Sequence, residues 1–391
     1  MTGPDEDRLP GVRPGADLAF MARAIELAER GRFTTHPNPR VGCLIVHAGR
    51  VVGEGWHRRA GEPHAERHAL NEAGDRARGA TAYVTLEPCC YQGRTPPCTD
   101  GLIQAGVARV VCAMVDPNPL VAGRGLRLLS EAGIRVETGL LEAPARALNP
   151  GFVKRMEQGR PHVLCKLAAS LDGRTAMSNG ESQWITGEPA RREVQRLRAG
   201  SSAVVTGIGT LLADDPGLDV RLTPADLPGM GADEPVRQPL RVVVDSRWRT
   251  PPGSRILRLP GTTLIVGAVD DPTRMAGLKR SGGLVHLCRA RGGQVDLGAL
   301  MAELARREIN EVLLETGPTL AGAALEAGLV DEIVVYLAPH LMGDRARGLF
   351  QLPGVARMSD RVPLEIVSVR AVGRDLRVTA RPARDGGSSG A

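Results

Sequence analysis

The sequence predicts an α/β protein of two domains, and three observations carry that prediction. A chain of 391 residues has room for two ordinary domains, each with its own core. Up to about residue 145, apolar strand-like runs alternate with helical patterns, the signature of a layered α/β domain. The rhythm breaks in "LEAPARALNPGFVKRMEQGRP" (141–161), which carries prolines and glycines, and then resumes with different motifs. The expected organisation is a disordered lead-in (1–16), a first domain (17–147), a linker (148–161), a second domain (162–381) and a disordered tail (382–391).

Each element has a local reason. "DLAFMARAIELAERG" repeats apolar residues at three- and four-residue spacing and reads as a helix. The turn-rich "RFTTHPNPRVG" leads into "CLIVHAGRVVGEGW", read as a strand. "AERHALNEAG" is a helix stopped by Gly74, and "ATAYVTLE" a strand. A helix in "CTDGLIQAG", a strand in "VARVVCAMVD", a helix in "GLRLLSEAG" and a strand in "IRVETG" complete the first half. The second half has strands in "HVLCKLAAS", "SSAVVTG", "LRVVVDS", "TTLIVGAV", "EVLLET" and "EIVVYLAP", with helices between. "RLTPADLPGMGADEPVRQP" reads as a surface insertion.

Composition narrows the class. A hydrophobic content of 42% with 24% charged residues marks a soluble, globular chain. All but three of the 50 basic residues are arginine, interleaved with acids and forming no basic arm, so the net charge of +6 suits anionic small substrates. Only 3% of residues are aromatic, which leaves little stacking surface for single-stranded nucleic acid. No apolar run reaches the ~20 residues of a membrane span. The acidic, Pro/Gly-rich start is no secretory signal. Seven irregularly spaced cysteines fit a cytoplasmic protein with reduced thiols, where clustered Cys and His point to a metal.

The cluster is present. "GEPHAERHAL" contains His64-x-Glu66, and "TLEPCCYQGRTPPCTD" carries Cys89 after a proline and Cys98 further on. H-x-E followed by P-C…C is the pattern of zinc deaminases. One imidazole and two thiolates hold Zn²⁺ tetrahedrally and leave a fourth position for water. The metal lowers that water's pKa to about 7, so hydroxide is available to attack an amidine-like carbon. Glu66, off the metal, carries the proton to the ring nitrogen and then to ammonia. A spacing of two does not put both side chains on one helical face, so His64 reads as ligand and Glu66 as base, at an irregular first turn. Eight residues separate Cys89 from Cys98, so the loop must fold back, and "GRTPPC" supplies a turn and rigid prolines. A disulfide is disfavoured in a reducing compartment. His68 as a fourth ligand would leave no place for water, so it reads as structural or exposed, and Cys90 as a bystander.

These motifs are accompanied by "HPNPRVGCLIV", "DPNPLVAGRG", "KLAASLDGRTA", "GESQWITG", "GTLLADDPGLDVR", "QPLRVVVDS" and "ETGPTLAGA". Together they resemble the bifunctional riboflavin-biosynthesis deaminase–reductase family over nearly the whole chain. The resemblance implies an N-terminal cytidine-deaminase-like three-layer α/β/α domain and a C-terminal dihydrofolate-reductase-like α/β domain. It implies deamination of 2,5-diamino-6-(5-phosphoribosylamino)pyrimidin-4(3H)-one, then reduction of the ribosyl group to ribityl with NADPH. His64, Cys89 and Cys98 match the family's zinc ligands and Glu66 its acid/base. Asn38, His57 and Arg94 fall where the family approaches the pyrimidine and its phosphoribosyl arm. Where the family usually has Ser-His after the first zinc cysteine, this chain has Cys90-Tyr91, so either a Tyr91 hydroxyl replaces any hydrogen bond from that histidine or substrate affinity differs.

In the second half, Gly317 opens a strand–turn–helix whose backbone N–H groups either cradle a cofactor phosphate or form an ordinary turn. "VVTGIGT" lacks the third glycine of a dinucleotide fingerprint. The resemblance assigns substrate contacts to Ser182, Arg198, Leu218, Arg221 and Glu315, and puts Lys166 near the reacting centre. It assigns cofactor contacts to Ala168, Trp184, Thr210, Asp214 and Ser246. The run Gly317, Pro318, Thr319, Leu320, Ala321, Gly322 and Ala323 matches the same cofactor site. Arg198 and Arg221 suit a phosphate, or are surface arginines; Trp184 could be a core anchor, and Asp214 part of a turn. Ser246 with Arg247 is a candidate pair for the adenosine 2′-phosphate. The family also implies a homo-oligomer, dimer or tetramer, assembled through the reductase domain. A nucleic-acid base deaminase is the competing reading, opposed by the absence of C-x-x-C spacing and the scarcity of aromatics. A reductase retaining a dead deaminase scaffold is opposed by the intact His64, Glu66, Cys89 and Cys98.

Overall fold

A computed structural model of the chain describes residues 14–93 and 96–383. The chain folds into two compact units, one reaching Gln158 and including Pro224–Glu234, the other taking the remainder.

The first unit begins with α1 (Pro14–Glu29), β1 (Gly42–His47), β2 (Arg50–Trp56), α2 (Ala65–Ala73) and β3 (Thr81–Val84). It continues with α3 (Cys98–Ala105), β4 (Arg109–Cys112), α4 (Arg124–Glu131), β5 (Arg135–Thr138), α5 (Glu142–Leu148) and α6 (Pro150–Gln158). The strands form one sheet in the order β2-β1-β3-β4-β5, antiparallel as far as β3 and parallel beyond. Alternation along β1 divides the core. Leu44 and Val46 join Met21 and Leu27 of α1, Ala145 of α5 and Phe152 of α6 on one face. Cys43 and Ile45 join Ala69 of α2, Leu102 of α3 and Leu129 of α4 on the other. The outcome is three layers, helices on both faces of the sheet.

Two close approaches seat α2 on the sheet. A Cβ on Gly53 would lie 2.1 Å from the Ala69 carbonyl oxygen, and one on Gly55 would lie 2.2 Å from that of Ala65. These two glycines in "VVGEGW" let the α2 backbone lie directly on β2.

Three expectations change here. "CLIVHAGRVVGEGW" is a hairpin, not one strand, because Ala48 and Gly49 both take positive φ (48° and 75°), as a tight two-residue turn requires. The expected linker is helical over Pro150–Gln158, with Phe152 and Val153 buried: its apolar residues outweigh the prolines, one of which opens the helix. Of the expected lead-in, Pro14–Ala16 already belong to α1, and the rest lies outside the described residues, as does the tail beyond residue 383.

The second unit runs β6 (His162–Ser170), β7 (Arg174–Ala176), α7 (Glu188–Gly200), β8 (Ala203–Gly207), α8 (Ile208–Asp214) and β9 (Leu240–Val244). Then come α9 (Arg255–Arg258), β10 (Thr263–Gly267), α10 (Pro272–Arg280), β11 (Leu284–Leu287), β12 (Ala290–Arg291), β13 (Gln294–Val295) and α11 (Leu297–Arg306). It ends with β14 (Glu311–Glu315), α12 (Pro318–Glu326), β15 (Glu332–Ala338), β16 (Arg347–Gly348), β17 (Leu364–Val372) and β18 (Asp375–Pro382). Nine strands form a sheet in the order β11-β10-β9-β8-β14-β6-β15-β18-β17, parallel up to β15 and closed by the antiparallel β18 and β17. This C-terminal hairpin was not expected, and its second strand reaches Pro382 in what was read as tail. The insertion after Arg221 is no free loop: Pro224–Glu234 groups with the first unit, where Glu234 pairs with Arg59 at 3.0 Å. No helix among the described residues is long and apolar enough to cross a membrane.

Candidate active sites

The first site is assembled at two helix starts. His64 is the N-cap of α2, extended at φ −74° and ψ 168°, so the irregular turn expected from H-x-E is present. Cys98 is the first residue of α3, and its backbone N–H donates to the Cys89 carbonyl (3.0 Å) and Sγ (3.4 Å). Thr99 adds a second N–H to that carbonyl at 3.2 Å, so Cys89 caps α3. His64 Nδ1 consequently lies 3.5 Å from Cys89 Sγ and 3.4 Å from Cys98 Sγ. A tetrahedral Zn²⁺ with ordinary Zn–N and Zn–S bonds separates such atoms by about 3.6 Å, so the three donors fit the ion. They are the one metal-ligating cluster of three or more among the described residues. A hydrogen bond from the Cys98 thiol and another from His64 pull the Cys89 thiol below its ordinary range, against the opposing effect of burial.

Glu66, in the first turn of α2, is buried, and its Oε2 has no partner among the described residues. Burial pushes its carboxyl above the usual range, with the Cys89 charge adding and His64 opposing. A carboxyl drawn towards neutrality beside a metal-binding cluster is poised to exchange protons. His68 stays out of the cluster, half-buried, and Cys90 likewise.

Asn38 and His57 come together beside it. His57 Nδ1–H donates to the Pro63 carbonyl (3.3 Å), leaving Nε2 to accept from Asn38 Nδ2 (3.1 Å). Burial lowers the His57 pKa to about 4, so the ring is neutral and its tautomer set. It meets the His64 ring edge-on at 5.1 Å between centroids. Tyr91 is exposed; Arg94 lies outside the described residues.

Sequence reasoning missed Glu87. Its buried carboxylate accepts from the N–H groups of Asp116 (3.1 Å), Gly123 (2.9 Å), Gly125 (2.9 Å) and Leu126 (3.4 Å). This ties the "DPNPLVAGRG" loop and the start of α4 to the segment bearing Cys89. The sequence signal was an acid next to a proline in an otherwise apolar strand end.

In the second unit, strand register builds the site. Lys166 of β6 pairs with Glu315 of β14, and Nζ lies 3.7 Å from Oε2. Arg198 of α7 grips the same carboxylate bidentately, at 2.6 and 3.0 Å, and donates to the Asp219 carbonyl at 3.1 Å. Burial would raise the Glu315 carboxyl, but Arg198 and Lys166 hold it below its usual range; burial draws Lys166 downward. Two cations and one anion leave a local positive charge beside the carboxyl end of β14, and α/β sheets bind ligands at such strand ends. Arg198 is thus no surface arginine, and most of its guanidinium is committed to protein. Thr206, missed from sequence, follows the last β8 residue paired with β14, and its buried Oγ1 has no partner among the described residues.

The cofactor candidates divide. Thr210 Oγ1 accepts from Gly317 N–H at 3.2 Å, joining two strand–helix turns. Gly317 caps α12 and Pro318 opens it, so its first-turn N–H groups lack intrahelical acceptors. Thr319 donates to Gln351 Oε1 (2.9 Å), and Leu320 is partly buried. Ala321 and Gly322 face the interior, Ala321 in the core and Gly322 where a Cβ would lie 1.9 Å from the Gln351 carbonyl. Ala323 is exposed. Ala168 sits one pleat beyond Lys166, beside Tyr336. Trp184 is 69% exposed with the Arg191 guanidinium 4.9 Å from its ring centroid, so it anchors no core. Ser182 hydrogen-bonds Asp214, whose carboxyl burial raises. Ser246 donates to Gln294 (2.9 Å) and accepts from Val295 N–H (3.1 Å), which occupies its hydroxyl and leaves Arg247 the exposed member of that pair. Leu218, at φ 51°, buries its side chain in the core. The Arg221 side chain is exposed, 3.3 Å from Asp219.

Known proteins agree with both halves. Residues 15–114 match the family model "cytidine and deoxycytidylate deaminase zinc-binding region", and residues 161–378 match "RibD C-terminal domain". The chain is 54% identical over 362 residues to the riboflavin biosynthesis protein RibD of Escherichia coli K12, covering 92% of this chain and 98% of that protein. The solved structure of Acinetobacter baumannii RibD (form 1) superposes with a TM-score of 0.87 at 45% identity, covering 95% and 99% of the two chains. A Thermotoga maritima structure, described as a diaminohydroxyphosphoribosylaminopyrimidine deaminase/5-amino-6-(5-phosphoribosylamino)uracil reductase, gives 0.80 at 31% identity, covering 94% and 99%. With a zinc-binding deaminase region and a reductase region that uses NAD(P)H in one chain, the protein belongs to the RibD family of bifunctional riboflavin-biosynthesis enzymes.

Proposed function

We propose that the chain deaminates 2,5-diamino-6-(5-phosphoribosylamino)pyrimidin-4(3H)-one in its first half (17–147), then reduces the ribosyl group to ribityl with NADPH in its second (162–381). The observation that carries the reading is the His64–Cys89–Cys98 donor set with the buried Glu66 carboxylate beside it, one oxygen of which has no partner among the described residues.

Zn²⁺, when bound, supplies a Lewis acid that makes water nucleophilic at neutral pH. Glu66 takes one proton from the attacking water and delivers it to the ring nitrogen, then takes the remaining hydroxyl proton and delivers it to the amine, which leaves as ammonia while the carbonyl forms. Asn38 and the neutral His57 offer fixed polar atoms to the pyrimidine, and Arg94 answers the phosphoribosyl arm. In the second site NADPH, when bound, supplies the hydride. Lys166, held by Glu315, donates towards the ribosyl oxygen as it gains charge. Arg198 orients Glu315, and the exposed Arg221 meets the phosphate. The exposed Trp184 ring and the α12 start at Gly317 receive the cofactor, with Ala168, Thr210, Asp214 and Ser246 around them.

The same reading includes a homo-oligomer formed through the reductase half. β17 is an edge strand. Ile366 and Val369 lie on the face that Ile333 buries two strands in, yet are 56% and 57% exposed, and Leu376 of β18 is 42% exposed beside them. An uncovered apolar sheet face of this kind fits a second copy. A reducing cytoplasm suits the seven free thiols.

The test is a coupled assay. Purified protein receives the diaminopyrimidine substrate and NADPH, and ammonia release and NADPH oxidation are scored separately. Both are expected; either one without the other overturns the bifunctional reading.

A further inference from the structure

We infer that Arg67 and Gly101 form a clamp that sets the spacing between the two helix starts bearing His64 and Cys98. The inference rests on the zinc reading of that site. His64 caps α2 and Cys98 opens α3, so two of the three donors ride on separate helices that must be held together.

Arg67, in the first turn of α2, spans the gap. A Cβ on Gly101 would lie 2.9 Å from Arg67 Cζ and Nη1 and 3.2 Å from Nε, so the guanidinium rests on the bare backbone of α3. Its Nη2 reaches the Pro97 carbonyl, the residue before Cys98, at 3.4 Å. Gly101 is buried inside a helix, a position where glycine costs about 1 kcal/mol relative to alanine. The seat it leaves for Arg67 explains its presence. Charge does not explain Arg67, since a cation beside a helix N-terminus opposes the dipole. Contact is what remains: the clamp holds Cys98 against His64, and Arg67 is a positioning residue.

The experiment follows zinc rather than turnover. Full-length, zinc-loaded protein is mixed with a chromogenic zinc chelator, and the rate of metal transfer is read. A parent protein that loads one zinc per chain supports the site; the variants then test the clamp. Arg67→Ala removes the guanidinium, and Gly101→Ala removes its seat while favouring the helix. Each should release zinc about tenfold faster, the usual scale for loss of a group supporting a ligand. The double variant should be no faster than either single, because both break one contact. Arg67→Met keeps the aliphatic stem and folding contacts. If it releases zinc at the parental rate, or if the single effects multiply in the double, the clamp is wrong. NADPH oxidation on the deaminated intermediate should be parental in every variant.

Discussion

The two active sites are built by opposite strategies. In the first half the metal donors come from a short stretch: His64 and Cys98 lie 34 positions apart, and both sit at helix starts. In the second half Arg198 and Glu315 are 117 positions apart, and they meet because neighbouring strands place Glu315 beside Lys166 under α7. The first site carries chemistry in the identity of its residues. The second carries it in register, with a buried ion triad in place of a motif. Damage should therefore be local in the first site and structural in the second.

The sharpest way to break that contrast is Glu66→Gln. Ammonia release should fall about 10³-fold, the scale of lost general acid–base catalysis. NADPH oxidation on the deaminated intermediate should stay within about twofold. Loss of both would show that the sites are not independent.

Next is Glu315→Gln, which leaves Lys166 and Arg198 as buried cations without their anion. It should cost the second unit about 3 kcal/mol, read by denaturant unfolding, and slow NADPH oxidation about a hundredfold. Ammonia release should persist. A catalytic loss without a stability loss would mean that Glu315 is not structural.

The smallest effect concerns a network in the first unit, in which the buried Arg109 meets two half-buried carboxylates. Arg109 binds Asp17 and Glu137 at 2.8 Å and closer, pinning α1 and β5 to the sheet. Hydrogen bonds from Arg109 hold Glu137 below its ordinary value of 4.5; for Asp17 burial pushes upward, but Arg109 and Tyr83 win. Both folded-state pKa values are depressed, so the unfolded chain binds more protons in acid. The stabilisation is full above the unfolded values and vanishes as pH falls through the folded ones. Arg109→Met should cost about 2 kcal/mol at pH 7, read from hydrogen exchange of β3 and β4 amides. That deficit should shrink below about pH 4.5; a constant deficit would assign it to packing rather than charge.

Legibility follows the same division. H-x-E, P-C and the spacing to Cys98 are short-range facts, so the zinc donors and Glu66 could be read from the chain. The strands of the second half were equally visible, because each is a continuous apolar run. Their order was not, and the meeting of Lys166 with Glu315 depends on it. Arg198 looked like one of many arginines until its bidentate pair with Glu315 was seen. The hairpin at Ala48–Gly49 was hidden because alanine rarely takes positive φ. Helix α6 was hidden by a proline that reads as a breaker but stands at its first position. In the β17–β18 hairpin, Leu376, Val378 and Ala380 of β18 do alternate with Arg377, Thr379 and Arg381, but the bulge between Ile366 and Ser368 breaks the period of β17.

The Glu87 carboxylate has a consequence for mutational tolerance. It holds the chain between Asp116 and Leu126 through backbone amides alone. Side chains along that loop can therefore change without touching the Glu87 contacts, except at Gly125, where a Cβ would lie 2.3 Å from the Pro88 carbonyl, and at Asp116, Asn118 and the buried Val121, whose own side chains brace the turn. Glu87 itself has no such freedom. Glutamine would offer one oxygen and one NH₂ where four donors converge, so that a change of one heavy atom sets donor against donor. Robustness in the loop and fragility at one buried acid are the same design seen from its two ends.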